Sequence, residues 1–274
     1  MKKVIFSLLL IILIALFFIF FNKEITGRVI EDVIEKNSSF LVSKIVFEGE
    51  DGKEIYGLFF KPFKDKFDVI VVLPAAAGTK ESRRFYGEIL TEIGYGVVIL
   101  DQRGIGETDG NVPSLQDDFQ NFVEGKESFQ VLTAKDVIRV VDFLEGSLEV
   151  DEVGVLGESM GGRNAIIAAG LDARIKIAVV ISSAGYFTNF DDARVNEFLS
   201  HINPNSYIGK IRGRLLMLHS VFDNVISIDD ARKTFSLARE PKRFVEINYA
   251  GCVHGYCKEM LQAIEDELRT SFGD

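Results

Sequence analysis

One serine of the chain stands where a strand is predicted to turn sharply into a helix. Residues 157–161 read Gly-Glu-Ser-Met-Gly, with Ser159 at the centre, and they follow the apolar run at residues 153–156. A serine at such a turn is held in a strained conformation that exposes its Oγ to a base and a substrate. Gly157 and Gly161 provide room where strand and helix pass close together. The pattern alone is weak evidence for a nucleophile, so its chemistry depends on partner residues.

A serine nucleophile needs a general base and a third group that orients this base. Of the three histidines, His254 is the best base, because it lies in a glycine-flanked loop between a predicted strand and the last predicted helix. Asp223 follows the apolar strand at residues 215–218 and is the best orienting acid. Asp229 and Asp230 compete for that role. Ser227 is predicted to cap a helix at residues 228–238, however, and the helix dipole favours acidic residues in its first turn, which explains these two aspartates without catalysis.

Other charged residues near predicted strand ends have structural interpretations. Asp101 and Arg103 follow a strand and are expected to fix neighbouring loops. His201 and His219 are not expected to be catalytic. Glu158 precedes the serine, and the sequence is compatible both with an exposed position and with control of substrate access.

The chain order Ser159, Asp223, His254, with each residue after a predicted strand, is the order of one hydrolase architecture. With these residues the chain resembles the α/β-hydrolase superfamily, in its esterase, thioesterase and serine aminopeptidase-like branch. The resemblance covers residues 43–271. It implies an α/β fold with a mostly parallel central sheet, helices on both faces, an antiparallel N-terminal hairpin and a small cap insertion.

Three further stretches carry the resemblance, and one of them, at residues 134–144, resembles the helix that leads into the nucleophile strand. Residues 69–73 and the following Pro-Ala-Ala-Ala-Gly resemble the strand and loop that provide an oxyanion-hole amide, and residues 101–106 match the family's Asp-x-Arg-Gly-x-Gly turn. The resemblance implies that the backbone amide of Met160 and one from Ala75 or Ala76 bind the oxyanion. Relatives often carry His-Gly in this loop, so here only backbone amides can serve.

Length and charge limit the remaining possibilities. The 274 residues minus a leader suit one α/β domain at residues 41–274, with a hairpin at residues 41–61 and a cap insertion at residues 182–213. Aromatic residues of this insertion are expected to pack the cap onto the domain. The net charge of −10 and the lack of a basic patch argue against nucleic acid as a partner.

The N-terminus resembles a membrane segment. Residues 4–21 are apolar except for Ser7, and at ~1.5 Å per residue they would span roughly 27 Å, which is close to the bilayer core. Lys2 and Lys3 precede this run, so we expect a cytoplasmic N-terminus and an extracytoplasmic catalytic domain at the cell membrane. Residues 1–22 would be an uncleaved anchor, and residues 23–40 a charged linker with a possible helix at residues 25–35. The alternatives are a cleaved signal peptide with a secreted product, or a buried helix.

The two cysteines flank the expected base. Cys252 and Cys257 can form a disulfide in an exported domain, remain free thiols, or contribute with His254 to a metal site. A metal site is the weakest of the three interpretations, because a fourth ligand is missing and the site would consume the base. We expect neither a metal nor an organic cofactor.

These features together predict a membrane-anchored serine hydrolase that cleaves carboxylic esters or thioesters through an acyl-enzyme. An aminopeptidase-like amide hydrolase is one alternative, since Asp191, Asp192 and Glu197 could bind a free amine. An acyltransferase and a non-enzymatic binding protein are the others. The sequence leaves the acyl group, the leaving group and the oligomeric state open.

Overall fold

The computed structural model describes residues 29–273. None of the helices in this range is both long and apolar enough to cross a bilayer. The predicted membrane segment at residues 4–21 lies outside the described residues.

In the described part of the chain, nine strands form one sheet in the order β1-β2-β3-β5-β4-β6-β7-β8-β9. The pairs β1–β2, β2–β3 and β3–β5 are antiparallel. The pairs β5–β4, β4–β6, β6–β7, β7–β8 and β8–β9 are parallel. The strands are β1 Ile30–Lys36, β2 Phe40–Glu48, β3 Glu54–Pro62, β4 Phe67–Leu73, β5 Gly96–Leu100, β6 Val150–Glu158, β7 Ile175–Ile181, β8 Arg214–Ser220 and β9 Lys242–Ile247. The mostly parallel sheet and its antiparallel N-terminal hairpin are confirmed.

Helices cover both faces of this sheet. They are α1 Arg84–Glu92, α2 Leu115–Val123, α3 Phe129–Glu145, α4 Met160–Leu171, α5 Ala193–Ile202, α6 Ile228–Ser236 and α7 Leu261–Phe272, and short 3₁₀ turns occur at Pro204–Ser206, Ile208–Lys210 and Lys258–Met260. The predicted cap of α6 is present, because Ser227 Oγ accepts a hydrogen bond from the amide of Asp229.

The sheet separates two hydrophobic cores. Side chains of β4 alternate between them: Val69, Val71 and Leu73 pack on the side of α3 and α4, whereas Ile70 and Val72 pack on the side of α1 and α7. Burial on both faces explains why the central strands read as continuous apolar runs. The carboxyl ends of the parallel strands therefore meet at one edge of the sheet, where the loops are free to carry polar residues.

The N-terminal part of the described chain differs from the prediction. The linker expected at residues 23–40, with its helix at residues 25–35, contains β1, which pairs with β2 from Ile30 opposite Val46 to Lys36 opposite Leu41. The folded domain thus begins before residue 41. Most of β1 is exposed, so its sequence lacks the buried face that would identify a strand.

The insertion at residues 182–213 contains α5 and two 3₁₀ turns. Phe198 of α5 is buried and lies against Phe119 and Phe122 of α2, with ring centroids 5.5 and 5.6 Å apart. The hydroxyl of buried Tyr207 donates to the carbonyl of His201 at 2.7 Å. Buried Phe198 and Tyr207 thus hold the insertion onto the domain as predicted, whereas Phe187 and Phe190 of the same insertion are exposed.

Arg103, in the turn after β5, anchors two distant parts of the chain. Its Nε and Nη2 donate to both carboxylate oxygens of Asp136 in α3 at 2.7 Å, and its Nη1 donates to Asp51 at 2.8 and 2.7 Å. Burial raises the pKa of Asp136 to about 6, since the cost of desolvation exceeds the attraction to Arg103. The guanidinium group is therefore the compensation for a buried carboxylate.

We expect Arg103→Leu to lower the free energy of unfolding by about 3–5 kcal/mol, because it leaves Asp136 buried without its counter-ion. The double variant Arg103→Leu/Asp136→Leu should recover part of this loss, because the buried carboxylate is gone. Urea unfolding followed by circular dichroism measures both. A double variant less stable than Arg103→Leu would contradict the assignment of the cost to an unpaired carboxylate.

Candidate active site

Three non-glycine residues of the described chain have a positive φ, and each follows a parallel strand. They are Ala77 after β4 (φ 61°), Ser159 after β6 (φ 51°) and Ser182 after β7 (φ 48°). Such backbone conformations are costly for residues with a Cβ and concentrate at functional sites. The predicted strained turn at Ser159 is present, and it lies at the same sheet edge as two other strained positions.

The glycines beside Ser159 are required by close backbone contacts. A Cβ on Gly157 would overlap the carbonyl oxygen of Gly161, and a Cβ on Gly161 would overlap the carbonyl oxygens of Leu73 and Pro74. The start of α4 therefore lies directly against the end of β4. This contact places the Met160 amide beside the loop that begins at Pro74.

His254 and Asp223 are in contact, as the sequence predicts. His254 Nδ1 lies 3.0 Å from Asp223 Oδ1 and 2.9 Å from Oδ2. Because an ionised carboxylate only accepts hydrogen bonds, Nδ1 carries the proton and Nε2 is left as a proton acceptor. Asp229 and Asp230, the competing acids, lie instead in the first turn of α6.

The Asp223 carboxylate is held in its charged form. The amides of Val225 and Ile226 donate to its Oδ1 at 2.9 Å each. Burial acts to raise the pKa of Asp223, but these two amides and His254 outweigh it, so the pKa lies below its ordinary value. The acid therefore remains an anion that orients His254.

A second histidine, His219, also lies near this acid, which the sequence did not indicate. Its Nε2 donates to the carbonyl of Ile226 at 2.9 Å and lies 3.4 Å from Asp223 Oδ2. Burial lowers the pKa of His219, so the ring is neutral. It positions the loop that carries Asp223. His201, the other histidine that the sequence analysis did not expect to be catalytic, lies in α5. Its Nε2 is 2.6 Å from Glu127 Oε1 in the loop before α3.

Backbone contacts connect the loop of His254 to the turn of Ser159. The amide of Gly255 donates to Ser182 Oγ at 3.0 Å, and the next hydroxyl, Ser183 Oγ, donates to the carbonyl of Ser159 at 2.8 Å. A Cβ on Gly255 would lie 3.3 Å from the carboxylate of Glu158. The strained residue Ser182 thus joins the base loop to the serine turn.

A disulfide between Cys252 and Cys257 encloses His254, which resolves the three alternatives left by the sequence. Ser220, the last residue of β8, donates its hydroxyl to the carbonyl of Cys252. The base loop is therefore fixed covalently across its ends and by hydrogen bonds to β8.

The expected oxyanion loop is fixed by two buried side-chain amides, those of Gln102 and Asn164, which the sequence did not indicate. Gln102 Nε2 donates to the carbonyl of Pro74 at 2.6 Å, and Gln102 Oε1 accepts from Asn164 of α4 at 2.7 Å. The loop continues as a tight turn in which the amide of Gly78 donates to the carbonyl of Ala75 at 2.9 Å. Ala75 and Ala76 thus lie between a clamped carbonyl and a closed turn. Only the position of Gln102 inside the Asp-x-Arg-Gly-x-Gly turn could have pointed to it.

Asp101 fixes a neighbouring loop, consistent with its structural interpretation. Its carboxylate accepts from the amide and Nζ of Lys80 at 2.7 Å each and from the amide of Glu107 at 2.9 Å. Lys80 is buried and also contacts Glu107 and Glu81 at 2.6 and 2.9 Å. Burial acts to lower the pKa of Lys80, but the three carboxylates outweigh it and raise the pKa.

Glu158 is not the exposed residue that one interpretation of the sequence allowed. Its side chain is buried, and Arg83 donates to its two oxygens at 3.0 and 3.2 Å. The neighbour of Ser159 is therefore engaged in an ion pair with the segment before α1. Within residues 29–273 no group of histidine, cysteine or acidic residues could hold a metal ion.

Two bacterial proteins are similar to this chain in sequence. YfhR of Escherichia coli (strain K12) is 24% identical over 225 residues, which cover 79% of this chain and 75% of YfhR. YtaP of Bacillus subtilis (strain 168) is 31% identical over 100 residues, which cover 36% of this chain and only 33% of YtaP.

Solved structures show the same fold at low sequence identity. An acetyl xylan esterase from Paenibacillus sp. R4 superposes with a TM-score of 0.73 at 19% identity and 89% coverage of both chains. Acetyl xylan esterase 1 from Thermoanaerobacterium sp. JW/SL YS485 gives 0.69 at 18% identity, with 88% of this chain and 86% of that chain covered. The profile of the α/β-hydrolase fold matches residues 68–204. The chain belongs to the α/β-hydrolase fold family.

Proposed function

We propose that the protein is a serine hydrolase of carboxylic esters or thioesters, with Ser159 as nucleophile, His254 as base and Asp223 as orienting acid. The observation that carries the proposal is the bond from His254 Nδ1 to an ionised Asp223, in a loop tied to the strained turn of Ser159. The esterases among the structural neighbours support the choice of reaction.

In this mechanism Ser159 Oγ attacks the carbonyl carbon while His254 Nε2 takes its proton. Asp223 stabilises the imidazolium that forms, without being protonated itself. His254 then passes the proton to the leaving group, and water activated by the same nitrogen releases the acyl group from Ser159. The amides of Met160 and of Ala75 or Ala76 bind the oxyanion of each tetrahedral intermediate.

The alternatives have weaker support. An aminopeptidase would need a carboxylate free to bind an amine; of the three acidic residues expected there, Asp192 is the N-cap of α5 and accepts from the amides of Arg194 and Val195, and Asp191 and Glu197 are exposed. A non-enzymatic binding protein would not need an intact Asp223–His254 pair. An acyltransferase uses the same residues and differs only in the acceptor of the acyl group.

Wild-type protein should react covalently with a fluorophosphonate probe, and Ser159→Ala should not, because the nucleophile is absent. Asp223→Asn should react about 10³–10⁴ times more slowly, since an amide favours the wrong tautomer of His254. Labelling is followed by gel fluorescence and by mass spectrometry of the modified peptide. Ser39→Ala, at an exposed serine, is the control and should react like the wild type. Labelling of Ser159→Ala at the wild-type rate would refute the assignment.

The buried pair of Gln102 and Asn164 should act on the rate through the oxyanion loop. Gln102→Leu should lower kcat for an aryl ester by about 10- to 100-fold with little change in KM, because it frees the Pro74 carbonyl and displaces the loop. Gln120→Leu, at an exposed position of α2, is the matched control. The double variant Gln102→Leu/Asn164→Leu should lose no more than the larger single loss, since Asn164 acts on the Pro74 carbonyl only through Gln102. An unchanged kcat in Gln102→Leu would refute this role.

We further propose that residues 4–21 anchor the protein in the cell membrane, with the catalytic domain on the extracytoplasmic side. The apolar run and the two lysines before it support the anchor and its orientation. The disulfide of Cys252 and Cys257 supports an oxidising compartment, where such bonds persist.

Expressed in a bacterial host, the full chain should stay in the membrane fraction after a carbonate wash, and external protease should degrade it in spheroplasts. A variant without residues 4–21 should leave the membrane fraction. Alkylation of the full chain should modify no thiol before reduction. A chain protected from protease until the spheroplasts are lysed would contradict the orientation.

A further inference from the structure

A cavity of about 460 Å³ lies under the segment that follows β7. Its walls come from α4, from residues 184–188 and from residues 225–233. The side chains that matter for its chemistry are Arg163, Tyr186, Phe187, Asp230 and Lys233. We call it the Arg163 cavity.

The Arg163 cavity borders the serine and the acid of the proposed triad. Arg163 lies one helical turn beyond Ser159, and its amide donates to the Ser159 carbonyl at 3.2 Å. Val225 and Ile226 of the cavity wall donate their amides to Asp223. Residues that contact the turn of Ser159 and residues that contact the carboxylate of Asp223 therefore form part of the cavity wall.

The cavity has an uncompensated positive charge. The guanidinium of Arg163 donates to two neutral oxygens, the carbonyl of Ala184 and the hydroxyl of Tyr186, both at 3.0 Å. No carboxylate of residues 29–273 forms an ion pair with it. Lys233, in contrast, contacts Asp230 of the same wall at 3.1 Å, so these two charges balance.

The two cations of the cavity, Arg163 and Lys233, each lie over an aromatic ring. The Arg163 guanidinium lies 4.6 Å from the ring centroid of Tyr186, and Lys233 Nζ lies 5.4 Å from that of Phe187. A guanidinium over a ring still has N–H groups available for other acceptors, and its fork matches a carboxylate. In a protein with a net charge of −10, such a local cation is what an anionic group requires to bind.

We infer that the Arg163 cavity binds a carboxylate carried by the substrate, so that the enzyme prefers esters with a second, anionic end. This inference rests on the proposed function and specifies its substrate class. The volume suits a small organic group of a few carbon atoms with its carboxylate. The carboxylate can belong to the acyl part or to the alcohol part of the ester, and the test separates the two.

The experiment compares two matched pairs of esters. For the acyl part, these are mono-4-nitrophenyl adipate and 4-nitrophenyl hexanoate. For the alcohol part, they are 4-acetoxybenzoate and its neutral amide, 4-acetoxybenzamide. Each kcat/KM is divided by the hydroxide-catalysed rate of the same ester, and the anionic-to-neutral ratio is determined for the wild type, Arg163→Gln, Arg163→Lys and the exposed control Arg239→Gln.

In at least one pair, Arg163→Gln should lower this ratio about tenfold, as expected for the loss of a charge-assisted hydrogen bond in a half-exposed cavity. Arg163→Lys should retain part of the preference, because it keeps the charge but not the fork. Arg239→Gln should leave the ratio unchanged. The pair that responds shows which side of the ester carries the carboxylate.

Two negative results have different meanings. If the neutral esters are hydrolysed but Arg163→Gln leaves both ratios as in the wild type, the inference about the cavity is wrong and the proposed function stands. The same holds if Arg163→Gln slows anionic and neutral esters equally, because Arg163 then only supports the Ala184 carbonyl. If the wild type hydrolyses none of the esters and does not react with the fluorophosphonate probe, the proposed function fails, and this inference fails with it.

Discussion

The close contact between the start of α4 and the end of β4 is the constraint on which the site depends. Gly157 and Gly161 have no room for a Cβ, so the chain passes from β6 into α4 within one strained residue, Ser159. The same contact holds the start of α4 against the loop that begins at Pro74. In the proposed mechanism this loop and the Met160 amide bind the oxyanion, so a larger residue at Gly161 would separate the loop from Ser159.

Buried polar groups keep the loops of this edge in place. Asp101 is satisfied by two N–H groups of Lys80 and one of Glu107, and Gln102 and Arg103, which follow it, each clamp a different segment. Burying charges costs solvation energy, and a hydrophobic cluster of the same size would often be as stable. Hydrogen bonds have directions, however, and a catalytic loop must be placed to within a fraction of an ångström. The turn at residues 101–103 therefore fixes the parts of the chain that carry Lys80, Pro74 and Asp136.

The sequence predicted the parts of the structure that depend on local patterns. The alternation of strands and helices, the hairpin of β2 and β3 and the capping of α6 by Ser227 all follow from periodicity and turn chemistry. The pairing of His254 with Asp223 followed from chain order, since the carboxyl ends of parallel strands meet at one edge. The contacts of Gln102 with Pro74 and of Glu158 with Arg83 could not be predicted, because they join residues far apart in the chain and follow no period. The strand β1 was missed because its side chains are exposed, which removes the signal that distinguishes a strand from a linker.

The proposed acid, Asp223, is held in place by several independent contacts. Asp223 accepts from two backbone amides and from His254, while neutral His219 supports its loop. The two fixed amides favour the charged carboxylate, which is the form that the proposed mechanism requires of Asp223 throughout. The base loop is fixed just as firmly, by the disulfide and by the bond of Gly255 to Ser182. If Asp223 and His254 act as proposed, both are held in place before substrate binds, so little reorganisation remains for the reaction, and the Arg163 cavity is left to select the substrate.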